Sequence, residues 1–81
     1  MAPRPPHVWS HLDAFEEAHS KLEHYEGLES MLIREKNALS MDDHAELRRI
    51  GIRLEQCRRN ILHWTAKVRT ANAQLRRDYL N

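Results

Sequence analysis

Residues 47–75, LRRIGIRLEQCRRNILHWTAKVRTANAQL, decide the fold of this 81-residue chain. Apolar side chains recur there in two interleaved series, each with a period of seven residues: Leu47, Leu54, Ile61, Val68 and Leu75 in the first, and Ile50, Cys57, Trp64 and Ala71 in the second. Alternating steps of three and four place both series on one side of a continuous helix, as in a coiled-coil seam. The stretch predicts a long helix that packs against another helix.

A second apolar stripe precedes this one and predicts a first helix. Its members recur at steps of three or four: Leu12, Phe15, Ala18, Leu22, Tyr25, Leu28 and Leu32. Ser10 and Ser40 each begin a sequence typical of a helix N-cap. We therefore expect helices over about residues 10–37 and 41–80. A short connection between long helices predicts an all-α antiparallel hairpin.

The three prolines all lie within the first six residues. Because proline disfavours helix beyond a first turn, residues 1–9 are predicted to form an extended Pro-rich arm before a helical-hairpin domain at 10–81. A hairpin of this size buries only one side of each helix, so its core is small. We expect self-association or a partner protein to complete a helical bundle.

A pivot near Leu39 sets the expected register between the helices. It pairs Leu32 with Leu47, Leu28 with Ile50, Tyr25 with Leu54, and Leu22 with Cys57. It also brings Gly27 and Gly51 to one level, which predicts a close helix crossing there. With this pivot, the second helix extends beyond the first from about residue 69 onward, and either the Pro-rich arm with Val8 and Trp9 folds over part of that stretch or another chain binds it. The candidate partner-binding residues are then this unpaired strip and the two tryptophans: Trp9, Trp64, Ala71, Leu75, Tyr79 and Leu80.

Charge is segregated along the chain although the net charge is only +1. Residues 10–36 hold seven acids and three bases, whereas residues 47–77 hold nine bases and one acid. The interpretation that we favour is a solvated basic face paired with acids of the first helix. The alternative is a small helical dimer that binds RNA or DNA through the second helix, with these candidate contacts: Arg48, Arg49, Arg53, Arg58, Arg59, Arg69, Arg76 and Arg77.

The sequence contains no motif for catalysis, phosphate binding or metal binding. We expect no enzyme activity, no catalytic residue, no metal and no cofactor. The single cysteine, Cys57, falls on the apolar seam and is interpreted as a packing residue. One cysteine and the lack of a membrane-spanning apolar run favour a cytoplasmic protein. The predicted function is a protein–protein interaction module, acting as adaptor, inhibitor or chaperone-like subunit through a coiled-coil-like helical surface.

Overall fold

The computed structural model describes the backbone of residues 6–80 and the side chains of residues 10–78. Two helices account for nearly all of it: α1, Pro6–Ala38, and α2, His44–Leu80. They pack against each other along their length, within a shape of 63 × 20 × 15 Å. The predicted all-α helical hairpin is confirmed.

Helix α1 begins at Pro6, four residues earlier than predicted from the cap-like sequence at Ser10. Proline is compatible with the first turn of a helix, because the N–H that it lacks has no partner there and its φ angle is already helical. The prediction of an extended arm through residue 9 is therefore wrong for residues 6–9. Residues 1–5 of that arm lie outside the described part of the chain, as does the side chain of Trp9.

Helix α2 begins at His44, three residues later than predicted. Ser40 starts a turn instead: its carbonyl accepts from the Asp43 N–H at 3.0 Å and its Oγ accepts from the Asp42 N–H at 3.3 Å. Asp43 is the actual N-cap residue, because its carbonyl accepts the first helical bond, from Leu47 N–H at 2.9 Å. Its carboxylate also accepts from the Ser40 N–H at 3.2 Å, which closes the turn.

The core lies between the helices, and its largest cluster is close to the turn. The buried cluster consists of Leu32, Ile50, Leu54 and Cys57, with Tyr25, Leu28, Leu39 and Ile61 packed around it. Ala18 and Ala71 are the other buried apolar residues within the described side chains. All of these residues except Leu39 belong to the two predicted stripes, so the stripes do form the interface between the helices.

The register differs from the prediction by at least one helical turn, and the Arg58–Glu29 and His11–Asp78 contacts shift in the same direction. The Cys57 thiol donates to the Tyr25 carbonyl at 3.0 Å, which places Tyr25 level with Cys57 and not with Leu54. The cause is the later start of α2, since moving the turn centre from Leu39 toward Met41 shifts every facing pair. The turn therefore occupies residues 39–43.

The predicted close crossing at Gly27 and Gly51 is wrong. A methyl group placed on either glycine would have no neighbouring atom within 4 Å, and both glycines are exposed. The shifted register removes them from a common level, and each lies outside the apolar seam. They are tolerated helical glycines, at a cost of about 1 kcal/mol each relative to alanine.

The expected excess length of the second helix is also wrong. The helices contain 33 and 37 residues, so α1 extends along most of α2. Near the far end His11 Nδ1 and Asp78 Oδ2 approach to 2.5 Å. Asp78 lies seven residues after Ala71 and thus continues the seam with a polar contact to α1.

Candidate binding faces

The predicted partner-binding residues do not form one exposed strip. Ala71 is only 3% exposed and belongs to the core, and Leu75 is half-buried. Ala71 lines a groove together with Ala14 and Ala18 of α1, whereas the predicted register leaves α1 too short to cover it. The side chains of Tyr79 and Leu80 lie outside the described residues. The prediction of an unpartnered apolar strip therefore fails for Ala71.

Trp64 and Ala71 do meet, at a surface groove between the helices. The groove has a volume of about 450 Å³ and is lined by Ala14, Glu17, Ala18, His63, Trp64, Lys67, Thr70, Ala71 and Gln74. Three alanines create it, because their small side chains leave space beside the half-buried indole of Trp64. The His63 ring meets Trp64 edge to face, with ring centroids 4.9 Å apart.

A smaller groove of about 150 Å³ lies nearer the turn, and it is lined by Tyr25, Leu28, Leu32, Arg53, Gln56, Cys57 and Asn60. The α2 residues that line the two grooves and flank the seam follow steps of three and four, and so share one side of the helix: Arg53, Gln56, Asn60, His63, Lys67, Thr70 and Gln74. We call this side of the hairpin the groove face. It is mostly polar, and its charged side chains include Glu17, Arg53 and Lys67.

Cys57 has the environment of a packing residue, as predicted. It is buried, and its thiol donates to the Tyr25 carbonyl. Burial raises the pKa of the Cys57 thiol, the Glu29 carboxylate raises it further, and Arg58 acts in the opposite direction. The sulfur is therefore protonated and shielded near neutral pH, which makes it a poor nucleophile.

The opposite side of the hairpin carries two columns of charge, and we call it the charged face. On α1 the acidic column consists of Glu16, Glu23 and Glu26, all exposed and spaced at seven and three residues. On α2 the basic column consists of Arg48, Arg58, Arg69 and Arg76, which are exposed and lie on one side at helical spacing. Exposed Leu62 lies within the basic column, at seven residues from Arg69.

One ion pair between the helices shows that both columns lie on the same face. Arg58 Nε donates to Glu29 Oε2 at 3.1 Å across the seam, and Glu29 is three residues from Glu26. Arg58 therefore extends from α2 toward the side of α1 that carries the acidic column. The basic column is interrupted once, by Glu55, whose carboxylate pairs with Arg59 of its own helix at 2.7 Å.

Most charges of the two columns have no partner within the hairpin. Among residues 10–78, the Arg58–Glu29 pair is the only one that joins an acid of α1 to a base of α2. Within the described side chains, no ion pair involves Glu16, Glu26, Arg48, Arg69 or Arg76, and Glu23 meets only His19, at 3.6 Å. The expectation that the acids of α1 neutralise the basic helix is therefore met at one position.

The eight candidate nucleic-acid arginines are divided among different sides of α2. Four of them form the basic column, and Arg53 lies on the groove face. Arg49 and Arg59 pair within α2, with Glu46 at 2.8 Å and with Glu55. Arg77 is exposed near the C-terminal end of the helix.

The described residues contain no cluster of three or more His, Cys, Asp or Glu side chains that would hold a metal ion. Neither helix, over the range described, combines the length and apolar character needed to cross a membrane. No known protein family, curated protein or solved structure matches the chain. The groove face and the charged face are therefore the features that bear on function.

The acidic column and Leu62 are the candidate binding residues that sequence reasoning missed. The charge segregation was visible, but it was interpreted as pairing between the two helices of one chain. A helical-wheel assignment of the flanking positions, beside that of the seam, would have placed Glu16, Glu23 and Glu26 on one side of α1.

Proposed function

We propose that the chain is a non-enzymatic protein-binding module that acts through its charged face. The observation that carries this proposal is the arrangement of two exposed columns of opposite charge, side by side and mostly unpaired. Surfaces with such complementary patterning guide association and select partners by charge. A partner with the reverse arrangement, a basic element above α1 and an acidic one above α2, fits this face.

The exposed area of the hairpin supports a role in binding. The chain exposes 6558 Å², whereas a compact monomer of 9.6 kDa exposes about 5,100 Å². The difference arises because two helices in an elongated shape can shield only their facing sides. A standard protein interface buries about 800 Å² on each partner, so the excess is enough to form one.

Nucleic-acid binding through α2 is the alternative, and the charged face argues against it. The basic column could approach phosphates, but the acidic column beside it would repel the same backbone. A titration of the chain with generic RNA and duplex DNA at low salt tests this alternative, because electrostatic binding is strongest there. Tight binding that weakens steeply with added salt would favour the alternative over the protein-binding proposal.

A photo-crosslinking amino acid at Leu62 tests the proposed face directly. Leu62 is 72% exposed within the basic column, and Ile52 is a matched control, 51% exposed on the outer side of the same helix. Each substituted chain is expressed and irradiated in cells of the organism that produces the native chain, and the protein adducts are separated by mass. We expect a discrete adduct from position 62 and little or none from position 52.

Charge reversal of the neighbouring acidic column supplies the specificity control. Glu23→Arg should reduce the adduct from position 62, because it reverses the charge that the partner meets on α1. Equal adducts from positions 62 and 52, or no protein adduct from either, would contradict the proposed function.

A further inference from the structure

We infer that the partner on the charged face is a second copy of this chain, an inference that depends on the proposed function. The two copies pack charged face to charged face, with α1 of each lying over α2 of the other. The acidic column of one copy then meets the basic column of its partner, and the contact occurs twice in the dimer. A four-helix bundle results.

The charges select this packing from two symmetric arrangements. When identical hairpins stack face to face, a two-fold axis along the helices places α1 over the partner's α2, whereas an axis across them places α1 over the partner's α1. The second arrangement sets acidic column against acidic column and basic against basic. Like charges in contact are destabilising, so the first arrangement is favoured.

The levels of the charges along the hairpin also match. A two-fold axis parallel to the helices does not change the position of a residue along the helix direction. The Tyr25–Cys57 contact shows which residues of α1 and α2 lie at the same height within one copy, and the same residues lie at the same height in opposite copies. Glu26 is then within one helical turn of the partner's Arg58, and Glu16 within one turn of the partner's Arg69. Leu62 of one copy lies at the height of Glu23 on α1 of the other copy, so that α1 would cover its exposed side chain.

The size of the face is sufficient for a stable dimer. A face measuring 63 by 20 Å has an area of roughly 1,200 Å², above the 800 Å² or so per partner of a standard interface. The charged face also contains apolar side chains that pairing would bury, Ile33 on α1 and Leu62 on α2. Gly51, which has no side chain, lies near the level of Ile33 and leaves space for it.

A charge-swap experiment tests the dimer. One variant carries Glu16→Arg and Glu26→Arg, and a second carries Arg58→Glu and Arg69→Glu. Matched controls reverse the same number of charges on the groove face. One carries Glu17→Arg and Glu35→Arg, since Glu35 follows Glu17 by five full helical turns and so lies on the same side of α1, and the other carries Arg53→Glu and Lys67→Glu. Circular dichroism establishes that each variant remains helical, and analytical ultracentrifugation gives the dimer dissociation constant.

We expect each charged-face variant alone to weaken the dimer by about tenfold or more, since both of its contacts become repulsive. Mixing the two variants should restore a dimer close to native affinity, because a heterodimer has two attractive contacts. The groove-face controls should change affinity by less than about threefold.

Three results would overturn the inference: a native chain that stays monomeric up to about 500 µM at low salt, a mixture that does not recover, or groove-face controls that weaken the dimer equally. The photo-crosslinking experiment separates this inference from the proposed function. An adduct of twice the chain mass supports both, whereas an adduct with a different protein supports the function and contradicts the second copy.

Discussion

Replacing Leu32 by alanine is a direct test of the core on which both faces depend. Leu32 is the only fully buried large side chain among residues 10–78, and it contacts the cluster formed with Ile50, Leu54 and Cys57. Buried Leu→Ala substitutions cost about 2–5 kcal/mol through lost transfer energy and the remaining cavity. The smaller groove reaches Leu32, so neighbouring side chains and water can partly fill the space. We therefore expect the lower part of that range, about 2–3 kcal/mol.

That loss is large for a hairpin of this size, whose total stability we estimate at about 4–12 kcal/mol. The expected fall in melting temperature is about 10–20 °C. Urea unfolding followed by circular dichroism gives the free energy, at several matched protein concentrations because association adds to apparent stability. Met31→Ala is the control, since this neighbour is 47% exposed and its loss should cost less than about 0.5 kcal/mol. Equal destabilisation by the two substitutions would refute the packing described for α1.

Four further predictions concern Gly27, Asp43 and Cys57. Gly27→Ala should stabilise the chain by about 0.5–1 kcal/mol in thermal unfolding, because nothing lies within 4 Å of the added methyl; a loss of stability would indicate a close helix contact there. Asp43→Ala should cost about 1 kcal/mol by removing the carboxylate that accepts from Ser40 N–H, and Asp42→Ala, measured in the same way, should cost less. Cys57 should react with a thiol reagent at least about tenfold more slowly in the native chain than in urea. The pKa of the Cys57 thiol is raised in the folded state. The contribution of the neutral thiol to the free energy of unfolding is therefore fully present below its ordinary pKa of 9.0 and declines as pH rises through the raised pKa. Urea unfolding of Cys57→Ser should lack this decline.

The helices and their antiparallel pairing could be predicted because the apolar steps of three and four continue through both stripes. The register could not, because Ser40 and Asp43 are both good cap residues and the sequence does not say which one starts α2. Starting α2 at Ser40 displaces the facing pairs by at least one helical turn. That single shift also produced the false crossing at Gly27 and Gly51 and left Ala71 without a neighbour on α1.

The start of α1 was misjudged for a different reason. Proline disrupts a helix where its missing N–H would have to donate an intrahelical hydrogen bond. At the first helical residue, Pro6, no such donor is needed. Because α1 begins four residues earlier than predicted, it extends further along α2, toward Asp78. The charged face was missed because its residues flank the seam, where sequence periodicity alone gives little reason to examine them.

Sedimentation equilibrium of the unmodified chain tests most directly whether the charged face holds two copies together. Measurements over about 1–500 µM should show a mass that rises from that of one 9.6 kDa chain toward that of two. The dissociation constant should increase as salt is added, because screening weakens contacts between the exposed columns. A mass of 9.6 kDa at every concentration and at low salt would contradict the account.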